Sequence, residues 1–503
     1  MKAKISLLNF TRVFCSMRNA VQNAKPYSEV PTVSVPKFIL RNLPGGKYYK
    51  KSLKEIQESF YNEFGNIFKL PAMFGKPEMI FIYKADDFET TSRAEGALPI
   101  RMSFDTLKYY RATKQSEVYA EYGSLATSDG EKWYKTRSQV NPIMLQPKVV
   151  QMYTKQIDEV SKEFVQIMRD IKDDKNEMPK DFKDYISRWS IESIATIAVE
   201  KRLNILSGKT DDERGKKFIN VTLQFFEKLS DFEMKPSIWR YYETKAFKEL
   251  MEVYDSMTSI IFSYVDEAIK RFENEETKGT NEIQEESVLR KLLKVNKNLA
   301  FVVASDLLVS DLTTSVVVFT LYLLAKNPEK QEKLRSELMS IMTNKNSPIK
   351  SENMKNLPYL RAVIKESLRI FPIGSGNTRN LSKDVVLAGY HVPKDTMVFM
   401  NAYIELSNPK YYPEPEKFIP ERWLRDEKYE NWRSKEINPF AFLPFGFGAR
   451  SCIGKRFGEL QIENIIMNII RNFKLEWNYP DMKVRSLLAN FPDSDLKFKI
   501  TEV

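Results

Sequence analysis

Apolar residues recur every three or four positions from Gln151 to Lys297, with charged residues between them. A repeat near 3.6 residues is typical of amphipathic helices, so this part of the chain is predicted to be mostly helical. The stretch Glu273–Ser287 interrupts the pattern, because it is highly charged and nearly free of large apolar side chains. We predict an exposed loop between two helices there.

Strand-like patterns lie on either side of this helical part. Tyr61–Phe68 and Met79–Tyr83 predict strands of a small sheet, joined by a turn, near the N-terminus. Similar stretches return at Val385–Val392 and Val398–Tyr403. The pattern as a whole therefore predicts a mainly α fold with minor β structure.

Phe301–Ala325 is the longest apolar segment. It has the length of a membrane span, but Asp306 and Asp311 lie inside it, and acidic side chains near the centre of a bilayer are costly. We therefore predict a long helix through the core of the protein.

The composition excludes several kinds of site. The 503 residues contain no Gly/Ser-rich or Pro-rich linker, which favours one large globular unit. His391 is the single histidine, so a His-rich zinc site is excluded and a Ser-His-Asp triad would depend on that residue, for which a structural role is favoured. The two cysteines, Cys15 and Cys452, exclude a disulfide framework and indicate a reducing compartment.

The formal net charge is +11, and residues 1–28 contribute five basic and no acidic side chains. Those basic residues are Lys2, Lys4, Arg12, Arg18 and Lys25. A basic, acid-free start with scattered Leu, Phe and Val is typical of a mitochondrial transit peptide, which we assign to residues 1–28, leaving 29–503 as the functional domain. A disordered basic terminus is the alternative. No motif supports contact with nucleic acid, and no early apolar run reaches the ~20 residues of a membrane span.

The most informative segment runs from Phe445 to Gly454 and reads Phe-Gly-Phe-Gly-Ala-Arg-Ser-Cys-Ile-Gly. Apolar residues follow it at helical spacing, at Phe457, Ile462, Ile465, Ile466, Ile469, Ile470 and Phe473. A helix beginning at Cys452 would stabilise its thiolate, and the glycines would let a large flat group approach the backbone. A thiolate held in this way is suited to ligate haem iron. Nucleophilic catalysis by the same cysteine lacks a credible general base, since His391 is the only candidate.

This segment resembles the haem-binding loop of the cytochrome P-450 family, the haem-thiolate monooxygenases. Glu366-Ser367-Leu368-Arg369, then Pro420-Glu421-Arg422-Trp423 and then the cysteine loop follow the order and rough spacing of that family. The resemblance implies a single large fold in which the core helix crosses over a haem b whose iron is ligated by Cys452. It also implies a buried charge cluster of Glu366, Arg369 and Arg422 that holds the cysteine side of the haem.

The resemblance implies further cofactor contacts. Trp133 and Arg137 lie four residues apart, on one face of a predicted helix, and both side chains are donors. Together with Arg379 and Arg450 they are expected to bind the haem propionates. Phe445 and Gly454 complete the expected cofactor-binding residues of the loop. For Trp133 and Arg137 alone, a surface cation–π pair is the alternative.

The core helix carries the residues expected to handle protons. The family pattern there is Ala/Gly-Gly-x-acid-Thr-Thr/Ser, and Thr313 matches its first threonine, the relay alcohol. The chain departs from the pattern at Val309, Ser310 and Leu312. Asp311 is the nearest acid, but it stands one position early, about 100° around a helix from the expected place.

Basic residues mark an expected partner surface. Arg361 and Lys365 share one helical face, and mitochondrial members of the family carry two basic residues there to dock an acidic ferredoxin, which an NADPH-dependent reductase supplies with electrons. Lys455 and Arg456 would enlarge this surface. Ordinary solvated helix charge is the alternative for such residues.

Leu43–Tyr49 and Val140–Lys148 resemble the twelfth family of insect mitochondrial enzymes, which is associated with xenobiotics, including insecticides. The resemblance implies a mitochondrial monooxygenase, on the matrix side of the inner membrane, that oxidises an apolar small molecule with O2. Substrate contacts are expected from Ile100–Tyr122, Phe225–Tyr242, the core helix and Ile373–Thr378, and Phe225–Tyr242 is apolar and basic enough to touch the membrane. An ecdysteroid or other steroid hydroxylase is one alternative. A non-catalytic haem sensor, supported by Leu312 at the acid position, is the other.

Overall fold

The computed structural model describes residues 23–503 apart from Phe74, 102–103, 207–212, 234–236, 278–285, 310–311, Thr343 and 433–436. The described residues form two compact units, each assembled from three segments of the chain. The described residues of the first unit lie within 1–102, 375–411 and 435–451, and those of the second unit lie within 103–374, 412–434 and 452–503. Neither unit is a continuous stretch of sequence, which explains why no linker marks a boundary.

Helices dominate the described residues, as the pattern predicts. In chain order they are α1 Val35–Asn42, α2 Leu53–Phe64, α3 Ala85–Arg93, α4 Asp105–Thr113, α5 Gly130–Met144, α6 Pro147–Gln151, α7 Thr154–Ile171, α8 Phe182–Ala198, α9 Glu213–Glu233, α10 Lys245–Thr277, α11 Val288–Val295, α12 Lys297–Val309, α13 Thr313–Lys326, α14 Pro328–Ile341, α15 Pro358–Ile370, α16 Tyr403–Leu406 and α17 Lys455–Asn472. Short 3₁₀ helices cover Tyr27–Glu29, Pro420–Trp423, Glu427–Trp432, Pro439–Ala441 and Gly448–Arg450.

The strands are short. They are β1 Ile67–Leu70, β2 Met79–Ile82, β3 Gly376–Asn380, β4 Val385–Leu387, β5 Tyr390–Val392, β6 Met397–Asn401, β7 Phe473–Glu476, β8 Val484–Ser486, β9 Asn490–Pro492 and β10 Lys499–Glu502. The first unit contains a four-stranded sheet in the order β1-β2-β6-β3 and the β4–β5 hairpin. The second unit contains the pairs β7–β10 and β8–β9.

The sheet of the first unit is built around buried strand residues. β2 lies antiparallel to β1 and parallel to β6, so that Ile80 is opposite both Lys69 and Val398. Ile80, Ile82 and Val398 are fully buried. The predicted strand over Tyr61–Phe68 is wrong in its first half, because Tyr61–Phe64 is the last turn of α2. Gly65, with φ +81°, ends that helix, and the strand starts at Ile67.

The chain joins the fold of the first unit before residue 28. The backbone N–H of Lys25 donates to Gly389 at 3.0 Å, and that of His391 donates to Lys25 at 2.8 Å. The Tyr27 hydroxyl donates to Glu78 at 2.5 Å. Most of the predicted leader, residues 1–22, lies outside the described residues, and its boundary after residue 28 stays a prediction.

The second unit confirms the helical prediction for Gln151–Lys297, which forms α7 to α11. Within it, Glu273–Thr277 belongs to the end of α10 rather than to the predicted loop, and 278–285 lie outside the described residues. A charged but helix-compatible sequence explains the error, since Glu and Lys favour helices when they face water.

The described residues of the predicted core helix belong to α12 and α13. Leu312, with φ −109° and ψ 10°, precedes α13, and residues 310–311 lie outside the described part. The stretch Lys297–Lys326 is long and apolar enough to cross a membrane, but 88 % of its most apolar window is buried within the protein. The prediction of a core segment is therefore confirmed for the described residues.

Candidate functional site

Cys452 lies between the 3₁₀ helix Gly448–Arg450 and α17, and it is exposed. Gly454 caps α17, which begins at Lys455, and the Lys455 backbone N–H contacts the Cys452 carbonyl at 3.5 Å. The predicted helix thus starts three residues after the cysteine. The partial positive charge of a helix start favours the thiolate over the thiol, as iron ligation requires.

The glycine-rich loop before the cysteine belongs to the first unit. Gly446 and Gly448 have φ of +72° and +71°, a region that favours glycine. A β-carbon on Gly448 would collide with the Glu95 carboxylate, and one on Gly446 would lie 3.3 Å from Asn377 Oδ1. Both positions therefore require glycine for reasons of backbone and of space.

The two expected propionate ligands of the first unit are buried arginines. Arg379 donates to Glu95, to the Thr378 carbonyl at 2.8 Å and to the Phe447 carbonyl at 3.0 Å. Arg450 donates to the Pro99 carbonyl at 2.9 Å. The ion pair of Arg379 with Glu95 could not be predicted from the sequence, since the two residues are 284 positions apart along the chain.

The two expected ligands of the second unit are Trp133 and Arg137 on α5, which are 1 % and 7 % exposed. This burial excludes the surface cation–π pair that was the alternative reading. Buried indole N–H and guanidinium groups are donors only, the chemistry that carboxylate propionates need. An exposed cysteine at a helix start, a loop that requires glycine and buried N–H donors are each features that a haem of the thiolate-ligated kind needs.

Other metal chemistry finds no support in the described part of the chain. No group of three or more His, Cys, Asp or Glu side chains comes together there to hold a metal ion. His391 lies on β5, and its Nε2 contacts Asp384 Oδ2 at 3.1 Å. Its place in a hairpin agrees with the structural role favoured by the sequence.

Glu366 is the centre of the predicted charge cluster, and it is fully buried. Arg369 donates to its carboxylate through Nε at 2.9 Å and Nη2 at 2.7 Å, and Arg422 Nε donates at 2.9 Å. Both arginines are also buried. Burial lowers the pKa of Arg422, and the attraction of Glu366 opposes that shift. The structure therefore brings the three predicted residues together.

Two further groups complete this cluster. Trp423 Nε1 donates to Glu366 Oε2 at 2.8 Å, and the Ile419 backbone N–H donates to Oε1 at 3.1 Å. The guanidinium of Arg369 also lies 5.2 Å from the ring of Tyr412. Trp423 directly follows Arg422, so the sequence carried a signal for it, whereas a backbone donor such as Ile419 leaves none.

Thr313 is the first residue of α13 and is 8 % exposed. Its hydroxyl donates to Gln461 Oε1 on α17 at 3.3 Å, a contact that the sequence did not suggest. Asp311, the predicted acid, lies outside the described residues. The relay role of Thr313 therefore stays a prediction, and its described partner is an amide instead of an acid.

The four expected partner-binding residues, Arg361, Lys365, Lys455 and Arg456, form what we call the basic patch. The guanidinium of Arg361 already has partners within the protein, since its Nε pairs with Glu463 Oε1 at 3.0 Å and its Nη1 donates to the Lys355 carbonyl at 3.2 Å. Lys365 is exposed, with its ammonium 5.9 Å from the ring of Trp423. Partial burial lowers the pKa of Lys365, Glu459 opposes the shift, and nearby Lys455, Arg361 and Arg425 add to it.

The expected substrate-contacting segments belong to different elements, and the structure describes two of them only in part. Ile100–Tyr122 contains α4, with 102–103 outside the described residues, and Phe225–Tyr242 runs from α9 into a loop, with 234–236 outside them. Ile373–Thr378 leads into β3. Their contact with a substrate stays a prediction.

Comparison with known proteins finds similarity along nearly the whole chain. A family model described as Cytochrome P450 matches residues 31–493. The housefly (Musca domestica) protein named cytochrome P450 CYP12A2 is 41 % identical over 495 residues, which cover 96 % of this chain and 92 % of that protein. A Drosophila melanogaster protein named probable cytochrome P450 12a5, mitochondrial, is 40 % identical over 491 residues, 95 % of this chain and 92 % of its own. A Drosophila acanthoptera protein named cytochrome P450 12b1, mitochondrial, is 38 % identical over 462 residues, 90 % and 86 % of the two chains.

Proposed function

Because this chain belongs to the cytochrome P450 family, we propose that it is a mitochondrial haem-thiolate monooxygenase in which Cys452 ligates the iron. The observation that carries the proposal is the exposed thiol of Cys452 at the start of α17, directly after a loop that requires glycine. When bound, the haem supplies the redox chemistry that inserts one atom of O2 into a substrate and releases the other as water.

Four buried side chains would hold the cofactor by its carboxylates. The side chains of Trp133, Arg137, Arg379 and Arg450 present only N–H donors, which suits them to bind carboxylate groups such as propionates, although Arg379 also pairs with Glu95. Phe445 and Gly454 flank the loop at its two ends. The cluster of Glu366, Arg369 and Arg422 would fix the backbone on the cysteine side.

Thr313 is proposed to move protons, with its hydroxyl as donor and acceptor. Its burial would exclude bulk water while a hydrogen-bonded chain delivers the two protons that the reaction consumes. Asp311 is the proposed acid of this relay. The hydrogen bond of Thr313 to Gln461 supports a fixed orientation of the hydroxyl.

The proposed electron donor is a ferredoxin served by an NADPH-dependent reductase. The basic patch would attract its acidic surface, and Lys365 and Arg456 suit this role because both are exposed and form no ion pair within the described residues. Arg361, by contrast, already has a carboxylate partner in Glu463.

The proposed substrate is an apolar small molecule of the xenobiotic or insecticide type, and a steroid is the alternative. Turnover with reconstituted ferredoxin on a xenobiotic panel and on a steroid panel separates the two classes. Oxygen consumption in the same assay tests the non-catalytic alternative, for which none is expected.

We propose the matrix side of the inner mitochondrial membrane as the location. Two of the similar proteins carry the word mitochondrial in their names. A peripheral membrane contact is supported by exposed apolar side chains beyond α9, since Ile238, Tyr241 and Tyr242 are 56 %, 86 % and 67 % exposed. Tyrosine is favoured at the level of lipid headgroups.

The spectrum of the reduced, carbon-monoxide-bound protein tests the central proposal. We expect the long-wavelength Soret band of thiolate-ligated haem in the natural chain and in the matched control Cys15→Ser. Cys452→Ser is expected to lose that band, because a hydroxyl is a far weaker ligand than a thiolate. A protein that carries no haem, or a Cys452→Ser variant with an unchanged spectrum, would contradict the proposal.

A further inference from the structure

A row of polar side chains runs along the buried face of α17. Gln461, Asn464, Asn468 and Arg471 are each at most 1 % exposed. Their spacing of three and four residues places them on one face of the helix. Burying such groups is costly unless each of their polar atoms has a hydrogen-bond partner, so the partners of this row are informative.

The C-terminal part of the row is satisfied by protein groups. Asn468 Nδ2 donates to Asp158 Oδ1 at 3.0 Å and to Asn464 Oδ1 at 3.0 Å. Asn468 Oδ1 accepts from Arg471 Nη2 at 2.9 Å. Asp158 Oδ2 in turn accepts from the Ile349 backbone N–H at 3.1 Å and pairs with Lys162 at 2.9 Å.

The N-terminal part of the row is only half satisfied. Gln461 Oε1 accepts from Thr313, but Gln461 Nε2 has no hydrogen-bond partner among the described residues. Asn464 Nδ2 is buried and lacks a partner there as well. A buried donor without a partner loses the hydrogen bond that it would make to water in the unfolded chain, and these two side chains lie one helical turn apart.

Another buried glutamine in this unit has all of its side-chain hydrogen bonds satisfied by protein groups. Gln331 on α14 is as buried as Gln461, and its Nε2 donates to the carbonyls of Leu324 at 3.1 Å and Leu475 at 3.0 Å. Its Oε1 accepts from the Leu475 N–H at 2.8 Å. Two unsatisfied amide donors on adjacent turns of one helix are what a shared non-protein acceptor would explain.

We propose that Gln461 and Asn464 hold a buried water molecule, and that this amide–water unit positions the hydroxyl of Thr313. A water that accepts from both amide nitrogens keeps two hydrogens to donate, and two to four polar partners are what buried waters have. Gln461 would thus be fixed at both ends, at Oε1 by Thr313 and at Nε2 by the water. Gln461 is a positioning residue in this scheme, and its effect on turnover rests on the proposed relay role of Thr313.

A crystal structure of the haem-loaded protein at high resolution tests the water site directly. We expect electron density for a water within hydrogen-bond distance of both Gln461 Nε2 and Asn464 Nδ2. A dry site, or a protein group that satisfies both nitrogens, would overturn the proposal. This readout does not depend on turnover.

Two variants test the positioning role, and a third serves as the control. Gln461→Leu is expected to raise the ratio of released peroxide to product about tenfold. This effect is smaller than the roughly 10²–10⁴-fold that a positioned proton transfer contributes, because the hydroxyl of Thr313 is still present. Gln461→Glu should behave like the natural chain at low pH, where a neutral carboxyl has the same acceptor and donor as the amide, and should lose coupling as the pH rises. Gln331→Leu should lower the unfolding temperature without changing the ratio.

The outcomes separate this inference from the proposed function. If Gln461→Leu retains the carbon-monoxide spectrum and its coupling of oxygen to product is unchanged, the positioning role is wrong and the monooxygenase proposal stands. If the natural chain shows no thiolate spectrum, the proposed function fails first, whereas the water site is still decided by the crystal structure.

Discussion

At the scale of single residues, the carboxylate of Glu366 is held by several hydrogen bonds at once. Five hydrogen bonds from the described residues end on its carboxylate, from Arg369, Ile419, Arg422 and Trp423. A buried ion pair adds little net stability, but removing one partner leaves the others charged and without compensation. The cluster is therefore sensitive to any change at its centre.

Glu366→Gln is expected to prevent haem incorporation. The substitution leaves the buried guanidinium groups of Arg369 and Arg422 without a counter-charge, a loss of about 3–5 kcal/mol. The measurement is the ratio of haem to protein after purification. Glu192→Gln is the matched control, because Glu192 is equally buried and accepts from Arg202 at 2.6 Å and from the Ile205 N–H at 3.1 Å. Haem content that falls equally in both variants would remove the special role of Glu366.

Asp87 is a second informative residue, and it predicts a pH dependence. Burial raises the pKa of Asp87 from 3.8 to about 6, and a hydrogen bond from the Ala388 N–H at 2.9 Å opposes the shift. Because the folded pKa exceeds the unfolded one, the folded state binds the proton more tightly. The stability contributed by this group is complete below about pH 4 and is lost as the pH rises towards 6.

Asp87→Asn should therefore raise the free energy of unfolding at pH 7 by about 1–3 kcal/mol and leave it nearly unchanged at pH 4. The Asn carbonyl can still accept from Ala388, so the gain comes from removing the charge. Denaturant unfolding of both proteins at the two pH values measures the difference. An equal effect at both pH values would show that the carboxyl does not titrate in this range.

At the scale of elements, α4 is held by acidic side chains from three other helices of its unit. Thr106 N–H donates to Glu233 on α9 at 3.0 Å, and the Tyr110 hydroxyl donates to Asp255 on α10 at 2.8 Å. Arg111 pairs with Asp306 on α12 at 2.8 Å, and both side chains are 6 % exposed. Nine residues are too few for a stable isolated helix, so these contacts decide that α4 forms.

Asp306→Asn is expected to loosen α4 and to lower the free energy of unfolding by about 3–5 kcal/mol, since it leaves Arg111 buried and unpaired. Hydrogen exchange of the amides of residues 105–113 measures the loosening. The double variant Arg111→Leu/Asp306→Leu should recover part of the loss, because no buried charge remains. Unchanged protection of α4 in Asp306→Asn would show that the other two contacts suffice.

At the scale of the whole molecule, the net charge of +11 matters where it is exposed and uncompensated. Glu463 neutralises Arg361 within the protein, which leaves Lys365 more available to a partner than Arg361. Charge complementarity mainly sets the association rate and its salt dependence. The two residues that the sequence treats as equivalent are therefore expected to differ.

Lys365→Glu should raise the ferredoxin concentration needed for half-maximal reduction about tenfold at low salt, and the difference should shrink as salt is added. Stopped-flow reduction at several ionic strengths provides the measurement. Lys248→Glu, an exposed lysine on α10, is the charge-matched control and should have little effect. An identical response of the two variants would mean that overall charge, and not the patch, attracts the partner.

The sequence determined the mainly α architecture, the buried Lys297–Lys326 segment and the order of the motifs. Periodicity and local composition report which side of each element faces the core, and the motifs are short and continuous. Its errors lie where tertiary contacts override local pattern. Tyr61–Phe64 reads as strand but ends α2, and Glu273–Thr277 reads as loop but ends α10.

What only the tertiary structure decided are the pairings between distant parts of the chain. Glu95 with Arg379, Thr313 with Gln461 and Arg361 with Glu463 each join residues more than a hundred positions apart. A side chain with the right chemistry is visible in the sequence, but its partner is chosen by packing, because the distance along the chain does not limit which elements meet. The sequence therefore proposes the candidate functional residues, and the fold decides which of them are bound to each other.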